Sequence, residues 1–194
     1  MIERDKAFAI LAEQISDEIV VTGVGSQTAS WLAARPRPLN LYLRGPMGLA
    51  PAVGLGVALA HPDRKVVVIE GDGGLLMGLT GLASVAHRQP PNLILICMDN
   101  GIYEAGGMGA TVNAGRTDFV RIVQGLGIGW AISDDDGDTL KKTIKRFLAA
   151  DACAFLHIPI GLSKGKPMRA MFQPAEIKYQ FQAALKAKLS RSHE

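Results

Sequence analysis

The chain has 194 residues, 48% hydrophobic and 20% charged, with 22 glycines, two cysteines and a formal net charge of +3. That is one domain's worth of sequence, long enough to bury roughly 70% of its unfolded surface, and it excludes a disordered chain and a disulfide scaffold. Apolar stretches are cut by Gly, Pro or charge well before the ~18 residues of a membrane helix, and Met1-Ile2-Glu3-Arg4-Asp5-Lys6 opens with mixed charge rather than a secretory leader, so a reducing, cytoplasmic setting is expected.

Helical and strand patterns alternate along the chain. Asp5 to Ile15 sets Phe8, Leu11, Ala12 and Ile15 on one face and predicts a helix. Glu18 to Thr22 is a β-branched run, broken by Gly23-Val24-Gly25-Ser26. Leu39 to Leu43 predicts a short strand, and Met47 to Ala60, rich in Ala and Leu, a buried helix. Lys65 to Ile69 is the continuous Val/Ile run of a central parallel strand. Leu75 to His87 predicts a helix with Leu75, Leu79, Leu82 and Ala86 in register, and Asn92 to Met98 another apolar strand. Residues 99–116 form a Gly-rich loop. Asp118 to Leu126 and Asp138 to Ala149 predict helices, Ile128 to Ile132 and Ala152 to Ile158 strands. Beyond Pro159 comes a linker at Gly161 to Pro167, then a terminal helix at Pro174 to Leu189. The alternation predicts an α/β fold, an open, mainly parallel sheet with helices on both faces. Right-handed crossovers then gather the loops that follow strands at one edge, where a ligand is expected.

Residues 1–161 hold 14 basic against 16 acidic residues, and residues 162–194 hold 7 against 2. The basic tail reads as a solvated helix with exposed lysines; it lacks the aromatics of an RNA surface, and neither nucleic acid nor a membrane is expected as a partner.

Two of the loops carry chemistry. Gly71-Asp72-Gly73-Gly74 follows a strand and opens a helix, so backbone N–H groups there can approach an anion. Asp72 adds a carboxylate at the same point, and a carboxylate beside an anion site implies a bridging cation such as Mg²⁺. Asp99-Asn100-Gly101-Ile102-Tyr103 follows the next strand, and the Asn100 side-chain oxygen is a second hard ligand. Either tripeptide alone is an ordinary turn sequence. Together, Gly71-Asp72-Gly73, then 26 residues, then Asn100 form a far more specific pattern.

With that spacing the chain resembles the diphosphate-binding (PP) domain of thiamine diphosphate-dependent enzymes, over residues 1–161. The resemblance implies that Asp72, Asn100 and the carbonyl of Ile102 bind Mg²⁺, that backbone groups at Gly73 and Gly74 help hold the cofactor's diphosphate, and that Gly71, Asn100, Ile102 and Tyr103 also belong to the cofactor site. Arg44-Gly45-Pro46-Met47-Gly48 looks like the family's fulcrum loop, with Pro46 where Ser is commoner. Gly45 is then expected to accept from the cofactor's amino group, and Met47 to force its bent form. Thr22-Gly23-Val24-Gly25-Ser26-Gln27-Thr28 matches the family's first diphosphate loop, with Ser26 and Thr28 as contacts. Glu104 and Met108 depart from the Tyr-Gly-Ser/Thr-Thr-Gly loop of the subgroup that the chain looks most like, the sulfopyruvate and phosphonopyruvate decarboxylases.

Enzymes of this family also need a pyrimidine-binding (PYR) domain that supplies an activating glutamate, and 194 residues leave no room for one. The resemblance therefore implies a β subunit, active with a PYR-type α subunit in a heteromer of two copies of each chain, that decarboxylates a small 2-oxo acid. Arg44 or Arg116 would meet an anionic substrate group. The alternatives are a carboligase or acetolactate synthase-like half, and a non-catalytic cofactor-binding subunit.

Other motifs read as structure. Gly23-Val24-Gly25-Ser26-Gln27-Thr28 has Thr where a dinucleotide fingerprint needs its third Gly. Asp134 to Asp138 has Ile132 and Thr143 at the end positions of a calcium loop, and is expected to be a helix cap. Cys97 and Cys153 are expected to be buried, inert thiols. His61 and His87 lie near helix ends, and His157 is expected to be a satisfied structural residue.

Overall fold

Four runs of β-branched and aliphatic residues, too apolar for either face to meet water, make the centre of the sheet. The fold comes from a computed structural model that describes residues 1–113, 115–162 and 173–191. In chain order its elements are β1 (Ile2–Glu3), α1 (Arg4–Gln14), β2 (Ile19–Thr22), α2 (Ser26–Ala34), β3 (Asn40–Tyr42), α3 (Ala50–Ala60), β4 (Val66–Gly71), α4 (Asp72–Met77) and α5 (Leu79–Arg88). There follow β5 (Leu93–Asp99), β6 (Ile102–Tyr103), a 3₁₀ turn (Glu104–Gly106), β7 (Gly109–Ala110), α6 (Phe119–Gly125), β8 (Trp130–Ser133), α7 (Gly137–Ala149), β9 (Ala154–Gly161) and α8 (Pro174–Arg191).

The seven-stranded sheet runs β3-β2-β4-β5-β9, and all its pairings are parallel. β8 and β1 share the outer side of β9, β8 beside Ala154–His157 and β1 beside Ile160 and Gly161. Side chains alternate across the sheet into two cores. One packs Val20, Val67, Ile69, Ile94 and Leu156 against α1, α2 and α7; the other packs Ile19, Val66, Val68, Leu95 and Phe155 against α3, α5 and α6. α8 lies against β3 and sends Ile177 into the first core and Phe181 into the second. Its Lys178 and Lys186 are exposed, as expected of a solvated basic helix. β2 leads to β3 on one side while β4 lies on the other, so the chain's direction of winding switches between them. The carboxyl ends of β2 and β4 therefore open the crevice in which such sheets bind ligands.

The α/β fold matches the expectation, with differences at particular elements. α2 went unforeseen, because Gly23 to Ser26 read as a break; only Gly25, with φ near +81°, leaves the regular path, and a helix follows at once. The helix expected from Met47 starts at Ala50, which leaves Met47 in a loop. It is buried on one side only, with Ala52, Gly56 and Leu59 exposed. The helix expected at Leu75 to His87 starts earlier and is broken at Gly78. A Cβ on Gly78 would lie 2.1 Å from the Gly48 carbonyl oxygen, so the neighbouring loop presses backbone on backbone just there. The loop 99–116 contains the small antiparallel hairpin of β6 and β7. Most of the linker expected at Gly161 to Pro167 lies outside the described residues; Gly161 itself closes β9. Among the described residues no helix is long and apolar enough to cross a membrane.

Candidate functional site

β4 and β5 run side by side with Gly71 opposite Met98, so Asp72 and the Asp99-Asn100 turn emerge as neighbours at the carboxyl edge. Asp72 opens α4 and is 2% exposed. Its Oδ2 accepts a 2.6 Å hydrogen bond from the Thr111 hydroxyl, which reaches back from the hairpin loop. Burial pushes the Asp72 carboxyl above its ordinary value; the Thr111 bond opposes this, and the charge of Asp99 adds to the rise. Asn100 is half-buried, and its Oδ1 accepts from the Ile102 N–H at 3.0 Å in a tight turn. Gly101 makes that turn possible with φ near +68°.

Asp99 is held from three sides. Burial would raise its carboxyl, but bonds from His157 Nε2 (3.0 Å) and Asn113 Nδ2 (2.7 Å), the His157 charge and the Gly101 N–H together hold it below the usual range. His157 Nδ1 in turn meets the Ser133 hydroxyl at 3.0 Å, so the ring is satisfied at both nitrogens, as expected. Asp136 caps α7 through Asp138 N and Thr139 N, which agrees with reading Asp134 to Asp138 as a cap. Cys97 and Cys153 are buried and unpaired; burial pushes the first thiol well up and the second to about 11.

The glycines of Gly71-Asp72-Gly73-Gly74 meet internal neighbours. A Cβ on Gly71 would lie 2.7 Å from Gln27 Nε2, one on Gly73 2.3 Å from Tyr103 Cε1, and one on Gly74 2.4 Å from Glu70 Oε1. Tyr103 thus lies directly on the first turn of α4. Ser26 begins α2, half-buried, with its hydroxyl 3.2 Å from Gln27 Oε1. The Thr28 hydroxyl is buried and engaged internally, donating to the Gly23 carbonyl at 2.8 Å and lying 2.7 Å from Thr22 Oγ1; it ties the β2–α2 turn together. Gly45 and Met47 sit in the loop before α3, Gly45 exposed and Met47 half-buried. Arg44 and Arg116 are both exposed. Sequence reading missed Thr111, Asn113, Gln27 and Glu70, and it missed Arg4. The Arg4 guanidinium, in a residue 1% exposed, forms a 2.5 Å ion pair with Glu104 at the base of the hairpin loop. The signal for Arg4 was a charged residue at an otherwise apolar helix position, and for Glu70 a carboxylate closing a run of four Val and Ile residues.

A buried Asp, an Asx turn and the Gly71-Gly73-Gly74 turn thus meet at adjacent strand ends, a cradle whose oxygen donors and backbone amides can take a cation and an anion. Residues 23–158 match the family described as thiamine pyrophosphate enzyme, C-terminal TPP binding domain, and the chain belongs to that family. It is 33% identical over 160 residues to the sulfopyruvate decarboxylase subunit beta of Methanothermobacter thermautotrophicus, covering 82% of this chain and 83% of that one. It is 31% identical over 185 residues to the sulfopyruvate decarboxylase of Methanosarcina acetivorans; the match takes in 95% of this chain but spans only about half of that protein, 48%. A solved Rhodococcus jostii thiamine diphosphate-dependent 4-hydroxybenzoylformate decarboxylase shares the fold, with a TM-score of 0.72 and 23% identity over 84% of this chain and 33% of that one.

Proposed function

We propose that this chain is the PP (beta) subunit of a two-chain, cytoplasmic, thiamine diphosphate-dependent 2-oxo acid decarboxylase of the sulfopyruvate decarboxylase kind. The observation that carries the reading is Asp72, a buried carboxylate at the mouth of the crevice with the charge of Asp99 beside it. Hard oxygen donors with surplus negative charge suit Mg²⁺. Asp72, Asn100 Oδ1 and the Ile102 carbonyl would hold the ion. The N–H groups of Gly73 and Gly74, with Ser26 at the start of α2, would take the diphosphate.

Bound thiamine diphosphate supplies the electron sink for decarboxylation. This chain's residues do the positioning. The Gly45 carbonyl accepts from the cofactor's amino group, and Met47 gives it an apolar support. Tyr103 shields the α4 end of the site from water. Arg44 and Arg116, both exposed, would meet an anionic substrate group. A PYR-type partner brings the activating glutamate, in a heteromer of two copies of each chain. The exposed apolar residues Leu49, Leu59, Met77 and Leu79, on and beside α3 and the α4–α5 break, support a partner that covers this face.

Two measurements test the reading. Calorimetry on Asp72→Ala is expected to give at least a tenfold weaker, EDTA-insensitive residue of cofactor binding, about 1.4 kcal/mol; unchanged affinity rejects the metal bridge. A decarboxylation assay with 3-sulfopyruvate, phosphonopyruvate and pyruvate is expected to find the lone chain slower by about a hundredfold or more than the chain mixed with its PYR-type partner. A lone chain at full enzymatic rate rejects the split enzyme.

A further inference from the structure

Helix α3 begins without a cap of its own. Leu49 occupies the N-cap position with no side-chain acceptor, and Pro51 in the first turn has no N–H to offer. The acceptor comes from the neighbouring strand instead. Glu70, 3% exposed, lies next to last in β4. Its Oε1 accepts a 3.0 Å hydrogen bond from the Gly71 N–H, and the Gly48 and Ala50 amides at the start of α3 face the same carboxylate.

The same carboxylate fills space that two glycines leave open. A Cβ on Gly23 would stand 2.0 Å from Glu70 Oε1, and one on Gly74 2.4 Å from it. One buried side chain therefore touches the turn after β2, the loop that carries Gly45 and Met47, and the first turn of α4. Its second oxygen, Oε2, is buried with no partner. An acid at the end of an apolar run is unfavourable to bury. It gains here by meeting the positive end of an 11-residue helix and N–H groups that would otherwise be orphaned.

We propose that Glu70 is a positioning residue: it caps α3 from the adjacent strand and thereby fixes the loop that presents Met47 relative to Asp72. The significance of Met47 rests on the cofactor reading above; the tie itself does not. Apolar residues in place of Glu70 would leave the Gly48 and Ala50 amides without their acceptor, and the loop would lose its reference point while the sheet stayed intact.

The test uses the full chain without cofactor, so it fails or succeeds independently of the binding experiments. Amide exchange is read at single residues, together with the methyl resonances of the methionines. In Glu70→Ala, the Gly48 and Ala50 amides are expected to exchange about fivefold faster or more, the effect of one lost cap. Val67 and Leu95 in the sheet keep their protection, and the Met47 methyl resonance moves while that of Met98 stays. Glu70→Gln retains an acceptor oxygen and is expected to hold exchange at Gly48 and Ala50 within about twofold. Glu70→Asp, one methylene too short, reproduces the local loss and serves if the Ala variant does not fold. Unchanged exchange at Gly48 and Ala50 in both Ala and Asp variants overturns the proposal, as does a rise spread uniformly over the sheet.

Discussion

Around Gly48, Gly74 and Gly78 the chain is packed backbone against backbone, whereas from Asp99 to Asn113 it is tied down by side chains. At the glycine corner a Cβ on Gly48 would lie 2.7 Å from Gly78 N and 2.8 Å from the Gly74 carbonyl oxygen. Such contacts have no rotamers to adjust. The hairpin loop, by contrast, has two-residue strands and is moored by Thr111 to Asp72, Asn113 to Asp99 and Glu104 to Arg4. One half of the cradle is therefore stiff by construction, and the other is as stiff as its tethers. The halves have different duties. The corner, together with Glu70 beneath it, bears on where Met47 stands relative to Asp72, while the hairpin loop lays Tyr103 over Gly73 in the first turn of α4.

The sharpest way to break this comparison is Gly48→Ala. The position has φ near +85° and backbone within 3 Å, so strain and overpacking together are expected to cost about 3 kcal/mol. Urea unfolding with an unchanged slope checks it; a loss below a few tenths would mean that the corner yields. Arg4→Met comes next. A truly fixed buried pair loses 3–5 kcal/mol when one partner goes. If the loop can swing Glu104 into water, the loss is only about 2 kcal/mol, with faster amide exchange confined to residues 101–111. A full-sized loss, with no local loosening, would place the loop in the stiff half. Thr111→Val is the mildest: it removes the hydroxyl that bonds the Asp72 carboxylate and is expected to cost about 1.5 kcal/mol. It is also expected to leave protection at Gly48 and Ala50 unchanged, since the corner does not depend on it. Exchange rising there would merge the two halves into one.

The same contrast governs how much of the molecule could be read from its sequence. Central strands were legible because runs such as Val66 to Ile69 have only one comfortable place, the inside of a parallel sheet. Asp72 and Asn100 were legible because spacing along the chain fixes which strand ends carry them. Contacts between distant segments were not. Nothing local in Thr111 points to Asp72, 39 residues away, and nothing in Arg4 points to Glu104, 100 residues away. The glycines misled in a different way. Gly73 and Gly74 suit a phosphate by their missing side chains, but the structure also places Tyr103 and Glu70 in the vacated space. Absence of a side chain announces a close approach without saying what approaches.

Strand β1 pairs Ile2 with Ile160. That pairing joins the second residue of the chain to one near the end of the sheet, the largest sequence separation of any ladder here. Its order of assembly follows: on a ribosome the first strand has no partner until β9 has been made, and Arg4, directly behind it, cannot reach Glu104 in its final setting before then. Contacts of such long range close late because the loop entropy must be overcome before they form. The edge beside β9, and with it the Arg4–Glu104 tether of the hairpin loop, is thus expected to be the last part of the sheet to mature. An interrupted chain that stops before residue 154 would lack the pairing that sets Arg4, while Thr111 and Asn113 would still have Asp72 and Asp99 in the same chain.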